Sequence, residues 1–143
     1  MSIPGGGGQS AGRIWVGLRA SITAEVSDAD TAEALGSGDL PVLGTPRLLA
    51  LAEAACVAAV APHLEAGQTT VGTEVSLEHK RPSRVGASLE VEAELTEVNG
   101  RRLAFMFIAY GQGEGDEAVI GAGRAERMIV DAERFLARAG LAG

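Results

Sequence analysis

One segment constrains the fold of this chain most: the run from Leu48 to Ala61 is rich in helix-forming residues and contains neither Gly nor Pro. Thr45 and Pro46 precede it, and a threonine followed by a proline is typical of a helix start with a capping side chain. Seven alanines in the run are small enough for a sheet to approach closely: Ala50, Ala52, Ala54, Ala55, Ala58, Ala59 and Ala61. We therefore expect a helix from Pro46 to about Leu64. Because it is apolar around nearly its whole circumference, we expect it to be covered on all sides.

The rest of the chain carries mostly the alternating pattern of strands. The expected strands cover residues 13–26, 70–80, 88–98, 102–110 and 117–130. In the second of them, the residues expected to face inward are Val71, Thr73, Val75, Leu77 and His79. Asn99-Gly100 is a pair preferred in tight hairpin turns, and residues 27–44 are expected to form a loop or a broken helical turn. Asp131 is expected to cap a short final helix that ends at Ala139.

This order of elements predicts an α+β protein. One strand, a long helix, four strands in succession and a short helix pack most economically as an antiparallel five-stranded sheet wrapped around the long central helix. That arrangement is the hotdog fold. We expect one domain over residues 13–143, preceded by a flexible Gly- and Ser-rich tail, residues 1–12.

Composition excludes some classes of function. The formal net charge is -7, from 12 Lys and Arg against 19 Asp and Glu, which argues against binding nucleic acid through an extended basic surface. The single Cys56 can form no intramolecular disulfide and is expected to be a buried packing residue. No stretch resembles a signal peptide and none is expected to cross a membrane, so a cytoplasmic location is expected. A chain of 143 residues buries a modest fraction of its surface alone, and a homodimer would hide more.

Two ionisable side chains interrupt apolar patterns. Glu53 lies in the middle of the expected core helix, where an unpaired charge would be costly. His79 takes an inward strand position at which an apolar residue is expected. Each alone has a structural explanation: an ion pair or an interface hydrogen bond for Glu53, and a core hydrogen bond for His79. Together they indicate an acid–base or nucleophilic site, provided that the two groups meet within a protomer or across a dimer.

Three further features have both a structural and a functional interpretation. Thr45 is expected to cap the helix, whose N-terminal N–H groups can also stabilise a developing oxyanion. Gly72, inside a strand, marks either a bulge or a place where a ligand approaches the backbone. The basic cluster of Lys80, Arg81 and Arg84 is either solvated surface or a site for phosphates. The sequence contains no metal-ligand cluster, P-loop or dinucleotide fingerprint, so we expect no metal and no resident cofactor.

Several segments together resemble one protein family. They are Gly44-Thr45, Leu51-Ala52-Glu53-Ala54-Ala55-Cys56, Ala61-Pro62-His63-Leu64-Glu65-Ala66-Gly67, Val71-Gly72-Thr73 leading to His79, Asn99-Gly100-Arg101-Arg102-Leu103 and Ala125-Glu126-Arg127. Over roughly residues 40–136 they are similar to the fluoroacetyl-CoA thioesterase group of hotdog proteins.

The resemblance implies an acyl-CoA thioesterase whose site forms on homodimerisation, with coenzyme A present only as part of the substrate. In that family a Thr, a Glu and a His form the catalytic set, which implies those roles for Thr45, Glu53 and His79. The resemblance also implies substrate contacts for Gly72 and Arg127, and it gives the basic cluster a role in binding the phosphates of coenzyme A. Whether the carboxylate attacks the thioester carbonyl or activates a water stays open.

The substrate and the function class have alternatives. Family members selective for fluoroacetyl groups have aromatic residues before the central helix, whereas residues 28–44 contain none. We therefore expect a broader or a different short acyl substrate, carried as a thioester either on coenzyme A or on an acyl-carrier protein. A non-catalytic acyl-CoA or small-ligand binding dimer, and a purely structural dimer with Glu53 and His79 as a buried polar contact, are the other two hypotheses. Hydrolysis of a panel of acyl-CoA thioesters separates the three.

Overall fold

A five-stranded antiparallel sheet wraps around one long helix in the computed structural model, which describes residues 13–112 and 115–141. The strands are β1 Arg19–Glu25, β2 Gln68–His79, β3 Ser88–Asn99, β4 Arg102–Tyr110 and β5 Val119–Asp131. They lie in the order β1-β3-β4-β5-β2, so that β1 and β2 are the edges of the sheet. The helices are α1 Ala32–Leu35, α2 Thr45–Val60 and α3 Ala132–Arg138. This is the α+β arrangement that the order of sequence patterns predicts; the predicted tail, residues 1–12, lies outside the described residues.

The core lies between the inner face of the sheet and one side of α2. The helix buries a face of small and medium apolar residues: Leu48, Leu51, Ala52, Ala55, Cys56, Ala59 and Val60. From the sheet, the inward residues of β3 follow the predicted alternation: Leu89, Val91, Ala93 and Leu95. Phe105 and Phe107 of β4 are almost fully buried and fill the space that the alanines of α2 leave open.

The opposite side of α2 is uncovered within one chain, which corrects the expectation of burial on all sides. Beyond its first turn, the exposed residues of α2 are small and apolar and recur at helical spacing: Ala50, Ala54, Val57 and Ala58. By length and hydropathy alone, the 19 residues Thr45–His63 are sufficient to cross a membrane, contrary to the sequence expectation. A core helix of a soluble protein passes the same test, and the buried face of α2 is packed on the sheet.

The first and last strands begin later than predicted. Residues 13–18 are not part of β1, because the chain turns at Val16-Gly17, where Gly17 has a φ of 107° that favours glycine. Glu117 and Ala118 belong to a 3₁₀ turn, Gly115–Ala118, that precedes β5. Residues 27–44 contain a 3₁₀ turn and the short helix α1, in agreement with the predicted broken helical turn. Asp131 caps α3 as predicted: its Oδ1 accepts a hydrogen bond from the Arg134 N–H at 2.9 Å.

A β-bulge in β2 corrects the predicted inward face of that strand. The register of β2 against β5 shifts between Gly72 and Glu74, and the extra residue is Thr73. Thr70 and Gly72 face α2 before the bulge, since Thr70 is buried and the missing Cβ of Gly72 points at Glu53. After the bulge the odd-numbered residues turn inward, which brings His79 to the start of α2. The single extra residue therefore determines that both Gly72 and His79 face the helix.

Candidate active site

The first residue of α2 contacts the last residue of β2. The Thr45 hydroxyl oxygen Oγ1 and the His79 imidazole nitrogen Nδ1 are 2.8 Å apart, which is hydrogen-bonding distance. Thr45 was predicted to be the capping residue, but the N-cap is Gly44, whose backbone has extended φ and ψ angles. The Thr45 side chain is thereby available to His79. The N–H groups of the first helical turn lie beside this pair and carry the partial positive charge of a helix N-terminus.

A cavity of about 360 Å³ opens onto the Thr45–His79 pair. The residues directly after β2, Lys80 and Arg81, form one side of it. The loop before α2 forms the other side, with Ser37, Gly38, Asp39, Leu40, Val42 and Leu43. Two members of the basic cluster thus lie beside the predicted catalytic histidine.

The third member of the basic cluster, Arg84, is absent from the cavity lining. Its Nη1 instead donates a hydrogen bond to the backbone oxygen of Val85 at 3.1 Å. Asp30 connects the loop wall to the start of α2. Its Oδ1 lies 3.1 Å from Arg47 Nε, so the two side chains form an ion pair, although the N–H of that nitrogen does not point at the oxygen and makes no hydrogen bond within the described residues. This pair and a hydrogen bond from the Gly44 N–H to the Asp30 carbonyl at 2.9 Å fix the base of the loop.

His79 is held in its neutral form. Burial lowers its pKa below the ordinary value of 6.5, and contact with the Arg81 backbone offsets only part of that effect. Its second nitrogen, Nε2, is buried and has no hydrogen-bond partner within residues 13–112 and 115–141. A neutral imidazole with one nitrogen on a threonine hydroxyl can accept or donate a proton through the other.

Glu53 occupies a separate place, two turns further along α2. Its Oε2 accepts a hydrogen bond from Arg127 Nη1 at 3.0 Å, and its side chain is 35% exposed against 9% for Arg127. Arg127 lies on β5 and also donates to Thr70 on β2, from Nε to Oγ1 at 2.9 Å and from Nη2 to the backbone oxygen at 3.0 Å. The ion pair that the sequence analysis offered as a structural explanation for Glu53 is therefore present.

Gly72 makes room for that carboxylate. A Cβ atom at this position would stand 2.5 Å from Glu53 Oε2 and 3.3 Å from Arg127 Nη1. Because real Cβ atoms do not come that close to another heavy atom, any side chain here would displace the carboxylate. In the sequence, the signal was a glycine inside a strand. In the structure, two neighbouring features explain why glycine stands there: the adjacent bulge and the close approach of the Glu53 carboxylate.

Within one chain, Glu53 and His79 do not meet. Glu53 lies at Gly72, which is seven residues before His79 on β2, roughly 20 Å of extended strand. The structure therefore brings the predicted residues together in two groups, Thr45 with His79 and Glu53 with Arg127 and Gly72. Sequence reasoning missed Thr70, since a threonine in a strand gives no signal that its hydroxyl and its carbonyl both bind one arginine.

Comparison with known proteins agrees with this architecture. A family described as "FlK: Fluoroacetyl-CoA-specific thioesterase" matches residues 26–133. A fluoroacetyl-CoA thioesterase of Streptantibioticus cattleyicolor is 37% identical over 97 residues, which are 68% of this chain and 67% of that protein.

Solved structures give the same result. A Thr-to-Ser variant of the thioesterase FlK in complex with acetyl-CoA is 31% identical, with a TM-score of 0.81 over 89% of this chain and 97% of that one. The Thermus thermophilus protein TTHA0967, a thioesterase superfamily member, is 27% identical, with a TM-score of 0.79 over 90% of this chain and 92% of that one. These likenesses, with the sheet wrapped around α2, define a hotdog-fold thioesterase, a hydrolase of thioester bonds.

Within that class, the chain belongs to the fluoroacetyl-CoA-specific thioesterase family. The family resemblance and the fold class that the sequence predicts are both confirmed.

Proposed function

We propose that this protein hydrolyses a short acyl-CoA-type thioester to a free acid and a thiol, and that Thr45, Glu53 and His79 carry out the reaction. The observation that supports this most directly is the hydrogen bond between Thr45 and His79 at the start of α2, beside a cavity bordered by Lys80 and Arg81. A relative named for this activity matches the chain at 37% identity.

The net reaction adds water across the C–S bond. In one route Glu53 takes a proton from a water molecule, whose oxygen attacks the carbonyl carbon. In the other, a Glu53 oxygen attacks that carbon directly, and water then hydrolyses the mixed anhydride. In both routes the C–S bond breaks, the electron pair leaves on sulfur, and the thiolate takes up a proton. Both routes use the Glu53 carboxylate, and Arg127 donates a hydrogen bond to one of its two oxygens.

The other two residues would act on the carbonyl oxygen and on protons. Negative charge that develops on the oxygen is favoured near the N–H groups of the first turn of α2, where Thr45 stands. Neutral His79, oriented by Thr45, can transfer a proton between water and the leaving sulfur.

Because Glu53 and His79 lie apart in one chain, we propose that a homodimer completes the site. The free edge of β2 supports this: residues 73–76 are all exposed and Val75 is 37% exposed, beside the uncovered apolar face of α2. If two copies paired β2 antiparallel around Ser76, with Thr73 bulged out of the ladder, the partner subunit's His79 would stand opposite Gly72, where Glu53 lies. The same pairing would remove an open sheet edge from solvent.

The substrate proposal has two parts. Lys80 and Arg81 would bind the phosphates of coenzyme A, with Arg84 further from the cavity. The loop wall of the cavity contains aliphatic and small polar residues and the acidic Asp39 but no aromatic residue, so we expect hydrolysis of short acyl groups without selection for fluoroacetyl.

A hydrolysis panel tests the reaction. Short acyl-CoA thioesters incubated with the protein should release free thiol, and Glu53→Gln should abolish release while circular dichroism stays unchanged. Glu90→Gln, an exposed glutamate of β3, is the matched control and should keep full activity. Saturable binding without release of thiol from any thioester would instead identify a binding module.

Mixed dimers test the composite site. Glu53→Gln and His79→Ala chains are each expected to be inactive, but one hybrid dimer holds one intact pair, Glu53 from one chain and His79 from the other. Random mixing should therefore restore about a quarter of the activity of the unmodified protein. No recovery in proven hybrids would mean that the two residues act within one chain or not together at all.

A further inference from the structure

Arg127 is an arginine whose three guanidinium nitrogens all donate within the protein. Only 8% of the residue is exposed. Nε and Nη2 donate to the side chain and the backbone oxygen of Thr70, and Nη1 donates to Glu53 Oε2. The two bonds to one threonine set the plane of the guanidinium on β2, so the direction of the Nη1 bond is set as well.

This geometry acts on Glu53 in two ways. The arginine places a positive charge on one carboxylate oxygen, and Gly72 leaves the space behind that oxygen empty of side-chain atoms. The other oxygen, Oε1, accepts no hydrogen bond from any residue of the described ranges. Glu53 is thus fixed by one oxygen and free at the other, which is what a base or a nucleophile needs.

Among the described residues that face Glu53, Arg127 is the one that carries a positive charge. β2 contributes Thr70 and Gly72, which are uncharged. On α2 itself, Cys56 is close enough for both charges to act on it, but burial raises the pKa of its thiol to about 12, so it is neutral at physiological pH.

We propose that Arg127 is a positioning residue for the thioesterase reaction: it holds the Glu53 carboxylate oriented beside Gly72, and it makes no contact with substrate. The inference rests on the proposed function, because it needs Glu53 to be the reacting carboxylate. It differs from the substrate contact that the family resemblance implies for Arg127, since each of its nitrogens is already engaged inside the fold.

Two substitutions separate the charge of Arg127 from its geometry. Arg127→Met removes both and should lower kcat about 10- to 100-fold with little change in KM. Arg127→Lys keeps a charge without the fork, so kcat should fall here too, again with little change in KM.

Arg124→Met is the matched control. Arg124 lies on the same strand and pairs with Glu126 at 2.9 Å, but it is half exposed and away from Glu53. Its replacement should leave kcat and KM unchanged. Addition of millimolar methylguanidine to Arg127→Ala should restore part of kcat in a saturable manner, an effect that a purely structural role would not produce.

Two results would overturn the proposal: unchanged kcat in folded Arg127→Met, or a loss confined to KM. If Arg127→Met does not fold, Thr70→Val serves as the second variant, because it keeps the charge of Arg127 but removes the hydrogen bond from Arg127 Nε to the Thr70 hydroxyl. An unchanged kcat in Thr70→Val would contradict the proposal equally. Full activity of Glu53→Gln would remove the proposed function itself. An inactive Glu53→Gln beside a fully active Arg127→Met would remove only the positioning role.

Discussion

At the scale of single residues, the candidate site is built from pairs in which one side chain holds another in place. Thr45 orients His79, and the hydroxyl and carbonyl of Thr70 orient Arg127, which in turn holds Glu53. These partners are common residue types whose importance comes only from position. A conservative change at a partner should therefore affect the reaction although the named catalytic group remains.

Gly72→Ala tests the tightest of these positions. The new Cβ would lie 2.5 Å from Glu53 Oε2, so the carboxylate must move away from Arg127. We expect kcat to fall about 10- to 100-fold and the free energy of unfolding to fall by about 1–3 kcal/mol. Steady-state kinetics and urea unfolding measure the two effects, with Thr69→Ala, an exposed site on the same strand, as control. Unchanged kcat would show that the position of Glu53 is not critical.

His79 should make folding stability depend on pH. Burial lowers its pKa in the folded state, so between that value and the ordinary 6.5 the unfolded chain binds more protons. This contribution to stability is present above pH 6.5 and is lost as the pH falls toward the folded-state pKa. Thermal unfolding of the unmodified protein and of His79→Gln should show a gap in Tm that changes between pH 7 and pH 5, with the unmodified protein losing more. Parallel curves would contradict this assignment.

At the scale of elements, α2 combines the core and the site in one helix. One face supports the sheet, its first turn carries Thr45, and its middle carries Glu53. The bulge in β2 is the complementary feature, because it turns both Gly72 and His79 toward the helix. Alternation along the sequence predicted an inward His79 correctly but not an inward Gly72, since a bulge shifts the periodicity by one residue.

Leu48→Ala tests the buried face of α2. Leu48 is completely buried, and its Cδ2 lies 3.1 Å from where a Cβ of Gly121 would be, so truncation leaves a cavity against β5. We expect the free energy of unfolding to fall by about 2–5 kcal/mol. Leu49→Ala, one position along at a half-buried site, should cost clearly less. Equal losses in urea unfolding would mean that the two faces do not differ as described.

At the scale of the whole molecule, the exposed apolar surface and the net charge indicate how the protein meets partners. The uncovered face of α2 and the free edge of β2 adjoin each other, and both would be covered by the proposed second copy. The formal charge of -7 repels a polyanion such as coenzyme A, so its attraction must come from local positive groups.

Val75→Lys tests the dimer. Position 75 lies one residue from the centre of the proposed β2 pairing, so the two copies of a lysine there would lie close to the two-fold axis on the same face of the sheet, and like charges oppose association. We expect a smaller mass by light scattering and loss of thioesterase activity, with circular dichroism unchanged. Thr23→Lys, on the opposite edge strand β1, should keep both the mass and the activity. A variant at position 75 that stays dimeric would exclude this edge as the interface.

Salt dependence tests the basic cluster. Lys80→Met and Arg81→Met should each raise KM for an acyl-CoA and flatten the rise of KM with ionic strength, because fewer charges remain to be screened. Arg84→Met should have a smaller effect, since that residue does not line the cavity. If KM and its salt dependence are the same in all three variants as in the unmodified protein, the cluster is ordinary surface.

The sequence by itself determined the fold class, the start of the central helix and the presence of two polar groups in apolar surroundings; the predicted helix end near Leu64 was wrong, because α2 ends at Val60 and a 3₁₀ turn follows. These follow from periodicity and burial cost, which act locally and can be read residue by residue. Only the tertiary structure decided that Thr45 contacts His79 instead of capping α2, and that Arg127 donates its hydrogen bonds to Glu53 and Thr70. Those contacts join residues that are 34 to 74 positions apart in the chain. They form only because of the order of the strands and the bulged residue Thr73, and the local sequence pattern encodes neither of these.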